Sequence, residues 1–253
     1  MSGAPATVVP EVLTPEWRAP RAVHAAFTLR GGGVSVAPFD SLNLGAHVGD
    51  SPAAVAENRR RVRVGLNLPA EPAWLDQVHG TRVADLDAPG ETGRAPADAV
   101  ITRRAGEVCA VQVADCMPVL FAERDASAVA VAHAGWRGLA AGVLEATVAK
   151  LGIARGGLIA WLGPAISVRH FEVGGEVRAA FLPGDPGAAA AFAPNARGRW
   201  QCDLGALARR RLAALGVTEV SGGTWCTYAD PARFFSFRRD GRCGRMAALI
   251  WLE

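Results

Sequence analysis

Three segments of the chain end an apolar run in a residue able to ligate a metal, with a glycine or proline turn close behind. They are Trp74-Leu75-Asp76-Gln77-Val78-His79-Gly80, Val111-Gln112-Val113-Ala114-Asp115-Cys116-Met117-Pro118 and Ala130-Val131-Ala132-His133-Ala134-Gly135-Trp136-Arg137-Gly138. Strand ends are rigid places from which side chains can converge. Convergence of His79, Cys116 and His133 would give two imidazoles and a thiolate, a catalytic zinc set that leaves a fourth position for water or substrate. Water held there would ionise near pH ~7, which makes hydrolytic chemistry available. Asp115 and Asp76, beside the ligands, would then orient them or move protons. The wide sequence separations of the three donors are unlike the short spacing of structural zinc fingers, so spacing establishes nothing by itself. On residue types alone, a buried thiol among loop-flanking histidines is the commoner arrangement, since free cysteine usually packs as core.

Further clusters could serve the same site. After His133 the chain passes through Gly135-Trp136-Arg137-Gly138 into a helix, and a helix start beside Arg137 suits an anion; a plain glycine turn with a solvated arginine stays open as the alternative. The loop Ser41 to Asp50 feeds the helix that carries Arg59, so Asn43, His47 and Arg59 could line a polar pocket, although loop polar residues often only satisfy turns. Cys226-Thr227-Tyr228-Ala229-Asp230-Pro231 and Phe234-Phe235-Ser236-Phe237-Arg238-Arg239 add Cys226, Arg238 and aromatics able to stack a base; core packing is their commoner use. Neither a GxGxxG nor a Walker fingerprint occurs in its context.

The elements that must position these residues are legible from periodicity. His24–Leu29, Trp74–Val78, Thr81–Leu86, Ala99–Thr102, Val108–Val113, Val119–Phe121, Ala128–Ala132, Leu158–Leu162, Val217–Val220, Phe235–Phe237 and Met246–Leu252 read as strands, several buried on both faces. Ser51-Pro52 starts a helix running to about Val64, with Gly65 behind it. Asn58 and Arg59 share its apolar stripe with Val55 and Val62. Leu139–Leu151 is an amphipathic helix closed by Gly152, and Asp203 caps another that Gly216 stops. Strands outnumber helices and mostly follow one another, which favours an α+β fold of mixed or antiparallel sheets. Residues 1–21 are expected to be a loose Pro-rich lead-in, residues 22–253 one domain, and Pro183–Asn195 a flexible loop.

Composition bounds the function classes. The 253 residues are 50% hydrophobic and 20% charged, the make-up of a soluble globule. The net charge of +3 is carried almost wholly by arginine, Lys150 being the one lysine, and the arginines are scattered apart from short runs at 59–63 and 209–211. No nucleic-acid footprint follows, while small anions remain candidate partners. Neither a signal-peptide core nor a membrane span is visible, so a cytoplasmic monomer acting on small molecules is expected. Five cysteines form no CxxC pair and read as thiols, one of them a ligand.

The motifs SLNLGAHVGD, QVHG, ADAVIT, VADCMPVLFA, AHAGWRGLAAGV, CTYADPARFFSFRRDGR and GRMAALIW closely resemble the YfiH family, also called the multicopper polyphenol oxidase or laccase-domain family. The resemblance spans about Phe39 to the C-terminus. It implies a single α+β domain of packed sheets flanked by helices, similar to a toxin deamidase. It also implies phosphorolysis of adenosine, inosine and methylthioadenosine, with adenosine deamination alongside, and zinc on His79, Cys116 and His133. The one departure noted is Cys243 before Gly244, where the family pattern has threonine.

Phosphate and a purine nucleoside are thus the expected ligands. Arg59, Arg137 and Asp115 are the candidates for catalysis, and Asn43, His47, Cys226 and Arg238 for substrate binding. Copper could occupy the zinc ligands, but five histidines are too few for a blue-copper centre together with a trinuclear cluster. A metal-free Cys116–His133 hydrolase or amidase, as in cell-wall precursor editing, and a purely structural zinc closed by His47 are the other readings.

Overall fold

The densest apolar runs form the strands their composition predicts. The computed structural model describes residues 10–91 and 95–253. In its first half lie β1 (Val12–Leu13), β2 (Val23–Thr28), α1 (Pro52–Gly65), β3 (Ala73–Trp74), β4 (Val83–Asp85), β5 (Ala99–Thr102), β6 (Val108–Val113), β7 (Met117–Glu123) and β8 (Val129–Ala134). Then come α2 (Trp136–Ala141), α3 (Val143–Leu151), β9 (Leu158–Leu162), β10 (Glu172–Val173), α4 (Gly175–Phe181), β11 (Phe192–Pro194) and β12 (Trp200–Cys202). The chain closes with α5 (Leu204–Ala214), β13 (Glu219–Gly222), α6 (Phe237–Asp240) and β14 (Met246–Leu252).

Two mixed sheets carry the fold, a five-stranded one in the order β1-β2-β14-β6-β3 and a six-stranded one in the order β13-β9-β7-β8-β5-β4. They pack face to face. Alternation along each strand decides which layer a residue enters. On β14, Met246, Ala248 and Ile250 meet Leu120, Val129, Val131 and Trp161 of the other sheet, while Ala247 and Leu249 turn outward to Leu42, Leu44 and Val62. The outer face of the six-stranded sheet is covered by Leu139 and Leu144, and by Leu204, Leu207 and Leu212 of α5. The result is a helix–sheet–sheet–helix sandwich within the expected α+β class, which explains why its strands read as continuously apolar.

The helix starts follow their capping signals. Ser51 accepts from the Ala54 N–H with Pro52 in the first turn, and Asp203 accepts from the Ala206 N–H. Several elements depart from the sequence reading. The helix expected over Leu139–Leu151 is two helices, because Gly142 sits at φ 102° between α2 and α3. The expected strand Phe235–Phe237 does not form; Phe234 and Phe235 are wholly buried loop anchors, and Ser236 caps α6 by accepting from the Arg239 N–H. Pro183–Asn195 holds a 3-10 helix (Pro186–Ala191) and β11, with Ala188, Ala191 and Phe192 in the core. The lead-in expected over residues 1–21 is only partly loose, since Val12–Leu13 pairs with β2; residues 1–9 lie outside the described residues. All five cysteines are free, and no described helix is long and apolar enough to cross a membrane.

Candidate metal centre

The three candidate ligands arrive from different layers at one end of the sandwich. His79 follows β3 of the five-stranded sheet, Cys116 lies in the short crossing from β6 to β7 between the sheets, and His133 sits in β8 opposite Pro118. The ligating atoms all fall within 4.8 Å of one another, with Cys116 Sγ 3.8 Å from His79 Nε2. The two imidazoles meet edge to face at 4.8 Å. Among the described residues no fourth His, Cys, Asp or Glu joins the group. His47, the residue that could have closed it, lines the neighbouring cleft instead.

Asp98 organises this arrangement, and the sequence reading passed over it. Its buried carboxylate accepts from His133 Nδ1 at 2.8 Å and from three successive backbone N–H groups, those of Val78, His79 and Gly80, at 3.2, 2.9 and 2.6 Å. One side chain therefore orients His133, leaving its Nε2 toward the centre, and clamps the turn that presents His79. His79 adopts φ 60°, a left-handed conformation costly for a non-glycine residue, which the three hydrogen bonds to Asp98 support. Asp98 immediately precedes β5, whose Ala99 pairs with Ala132 of β8, so strand register delivers it to His133. The ADAVIT run contained it, but a lone aspartate ahead of a strand carries no distinguishing mark.

Asp115, at φ 88°, does the corresponding work for Cys116. Its carboxylate accepts from Thr227 Oγ1 at 2.6 Å and from the Arg238 N–H at 2.7 Å, and its carbonyl accepts from the Ile166 N–H. Both carboxylate oxygens are engaged, which suits Asp115 to holding the Cys116 turn more than to moving protons. Asp76, whose backbone forms a β-bridge to Pro96, is not among the residues lining the cleft.

The electrostatics favour a thiolate. Burial alone pushes the Cys116 thiol up, but the His133 charge and hydrogen bonds from His133 and His79 outweigh it and bring the thiol down to about 6. Burial likewise pulls His133 down, against which Cys116 and Asp98 raise it to about 9. The donor set fits zinc. Bonds of about 2.0 Å to nitrogen and 2.3 Å to sulfur place tetrahedral ligand atoms roughly 3.5 Å apart, against 3.8 Å between Cys116 and His79 and at most 4.8 Å within the group.

Gly135 makes the approach of these groups feasible. A Cβ there would lie 2.8 Å from Cys116 Sγ and 3.1 Å from His79 Cδ2, although its φ of −68° suits any residue. Gly135→Ala is therefore expected to leave the fold intact and weaken metal affinity by about tenfold or more, read by competition against a chelator. Unchanged affinity would show that the two ligands can yield.

The centre opens into a cleft of about 420 Å³. His47, Asp115, Arg137 and Arg238 line it as the sequence suggested, together with Trp136, Phe171, Phe237 and Arg245, the last of which sequence reading missed. Among the described residues, none of the three arginines is ion-paired to a carboxylate. Arg137 lies over the Trp136 ring, Arg238 donates to the Glu172 carbonyl, and Arg245 donates to the carbonyls of Cys243 and Gly244. Burial and then Arg245 lower the pKa of His47, which favours its neutral form.

The other candidates lie outside the lining. Asn43 is fully buried and spends its amide on Gly45, Asp50 and the Arg245 N–H. Arg59 donates twice to the Leu44 carbonyl and covers Trp74. Cys226 accepts from the Ser167 N–H beside His170. The helix-start anion site weakens too, because α2 has only six residues. Any anion site in this cleft rests on side chains.

Residues 24–253 match the family described as multi-copper polyphenol oxidoreductase laccase. A purine nucleoside phosphorylase of Pseudomonas aeruginosa is 56% identical over 242 residues, covering 95% of this chain and 98% of its own. The purine nucleoside phosphorylase YfiH of Escherichia coli is 50% identical, covering 96% and 99%. A crystal structure of a Neisseria meningitidis DUF152 protein superposes with a TM-score of 0.91 at 49% identity, covering 96% of this chain and 99% of that one.

Proposed function

The chain belongs to the multi-copper polyphenol oxidoreductase laccase family, the family of YfiH, and on that premise we propose that it is a zinc-dependent purine nucleoside phosphorylase. We propose adenosine, inosine and methylthioadenosine as substrates, with adenosine deaminase activity at the same centre, in a cytoplasmic monomer. The observation that carries this reading is the coincidence, in one cleft, of an open three-donor centre and three arginines that have no carboxylate partner among the described residues.

Zinc on His79, Cys116 and His133 would supply Lewis acidity toward an oxygen placed against it. The chain's own residues do the rest. Phosphorolysis needs phosphate held against C1′ while the purine leaves, a task of positioning and charge stabilisation. Arg238 and Arg245 are fixed by backbone carbonyls and so are preorganised for an anion. Arg137, which among the described residues is held only by stacking on Trp136, is the freest to close on it. Trp136, Phe171 and Phe237 offer faces for a base, and neutral His47 can donate or accept at the substrate. Arg137→Ala is expected to raise the KM for phosphate roughly tenfold and leave the KM for nucleoside near its wild-type value, as one lost charge-assisted hydrogen bond implies. An equal rise in both would remove Arg137 from the phosphate site.

For polyphenol oxidation by several coppers, the described residues offer one group of three metal-binding side chains. His24 lies on Trp251 beside Glu253 and His170 on Tyr228, so only His47, His79 and His133 reach the cleft. A blue-copper site alone would consume two of them with Cys116. A second reading, a Cys116 nucleophile with His133 as base, is favoured by the depressed thiol and raised imidazole. One experiment separates the readings: quantify metal in the purified protein and incubate it with adenosine, with and without phosphate, resolving adenine, inosine and hypoxanthine. Adenine formed only with phosphate supports phosphorolysis, inosine formed without it supports deamination, and full turnover by metal-free protein overturns the zinc centre.

A further inference from the structure

Gln112 lines the cleft from β6 and is only 5% exposed, yet its side-chain Oε1 is buried with no hydrogen-bond partner. Its backbone, by contrast, is fully served. The Gln77 side chain accepts from the Gln112 N–H at 2.7 Å and donates to its carbonyl at 2.9 Å, standing in for a neighbouring strand. Gln77 is thus consumed by the sheet, and the Oε1 of Gln112 is left over. Leaving a buried amide oxygen unmatched costs about 1–3 kcal/mol, and such orphans are rare in folded proteins. Arg245 and His47 line the same cleft, and Trp136, Phe171 and Phe237 add aromatic faces to it.

A primary amide offers one acceptor and one donor side by side in a plane. The N1/C6 edge of a purine offers the complement. A 6-amino purine donates from N6 to Oε1 and accepts at N1 from Nε2. A 6-oxo purine accepts at O6 from Nε2 and donates from N1 to Oε1, once the amide has turned end for end about its last torsion, which is roughly two-fold. We infer that the Gln112 side chain reads the N1/C6 edge of the base and, by that half-turn, accepts 6-amino and 6-oxo purines alike. The inference rests on the nucleoside reading of the cleft and names the residue that selects the base.

The test compares phosphorolysis of adenosine, inosine, guanosine and purine riboside, which lacks a 6-substituent, by the zinc-loaded protein. Wild type is expected to favour adenosine and inosine over purine riboside about tenfold in kcat/KM, because that ligand leaves the amide half unpaired. Gln112→Leu should erase this preference, lowering adenosine and inosine turnover about tenfold further than purine riboside turnover, with metal content unchanged. Gln112→Glu presents acceptors only, and should raise the ratio of guanosine to adenosine turnover about tenfold, since guanosine alone offers adjacent N1 and N2 donors. A gain in one ratio cannot come from poor folding. Substrate ratios that stay fixed in both variants overturn the role of Gln112 and leave the phosphorylase reading standing. Failure of wild type to cleave any nucleoside overturns that reading, and this inference with it.

Discussion

Alanine at any one of His79, Cys116 or His133 is expected to strip the metal and lower nucleoside turnover by about a thousandfold or more, because a bound metal supplies several kcal/mol toward developing charge. Two remaining donors do not make a competent site, since zinc of this type needs three protein ligands. The stability costs should nevertheless be graded. His79 is exposed and Cys116 half-buried, so their loss is mild, whereas His133 is buried and leaves the Asp98 carboxylate short of a partner. Elemental analysis, thermal melting and turnover on the three variants check this together. A metal-free variant that retains wild-type turnover would remove the centre from the reaction.

Asp98→Ala is the second change with a large expected effect. It removes the acceptor for His133 Nδ1–H and for three backbone N–H groups, so about 3–5 kcal/mol of stability should go with it. Metal affinity should fall roughly 10–100-fold, the usual cost of losing the group that orients a ligating histidine. Asp98→Asn keeps an oxygen for the turn and should recover part of the stability, while its NH2 group faces donors and the affinity stays low. Chelator competition separates this from a general loss of fold, because zinc in excess should refill the Asn variant. Wild-type affinity in both variants would refute the orienting role.

Much of the scaffold was legible in the sequence. Ala99–Thr102, Val108–Val113, Leu158–Leu162 and Met246–Leu252 are strands over the residues their apolar runs mark, since strands buried on both faces need no alternation. Ser51 and Asp203 announced their helices through cap chemistry. The misreadings share a cause. Phe235–Phe237 is aromatic because it is buried, and burial does not distinguish a strand from a packed loop. At the site, the candidate ligands stood out because few residue types bind metal, whereas Asp98, Gln112 and Arg245 are ordinary residue types whose partners lie far along the chain. Asn43 and Arg59 lie outside the cleft lining for the complementary reason: polar side chains near a glycine-rich loop bond to that loop, as the Leu44 carbonyl and Gly45 show.

The placement of the candidate ligands would tie a bound ion to the architecture itself. One donor trails the five-stranded sheet, one stands in the six-stranded sheet, and the third occupies the link between them. An ion held there rivets the two halves of the sandwich together, and anything that binds only the native state raises its stability by mass action. The supply of that ion would then govern how long the protein survives proteolysis as well as how fast it works.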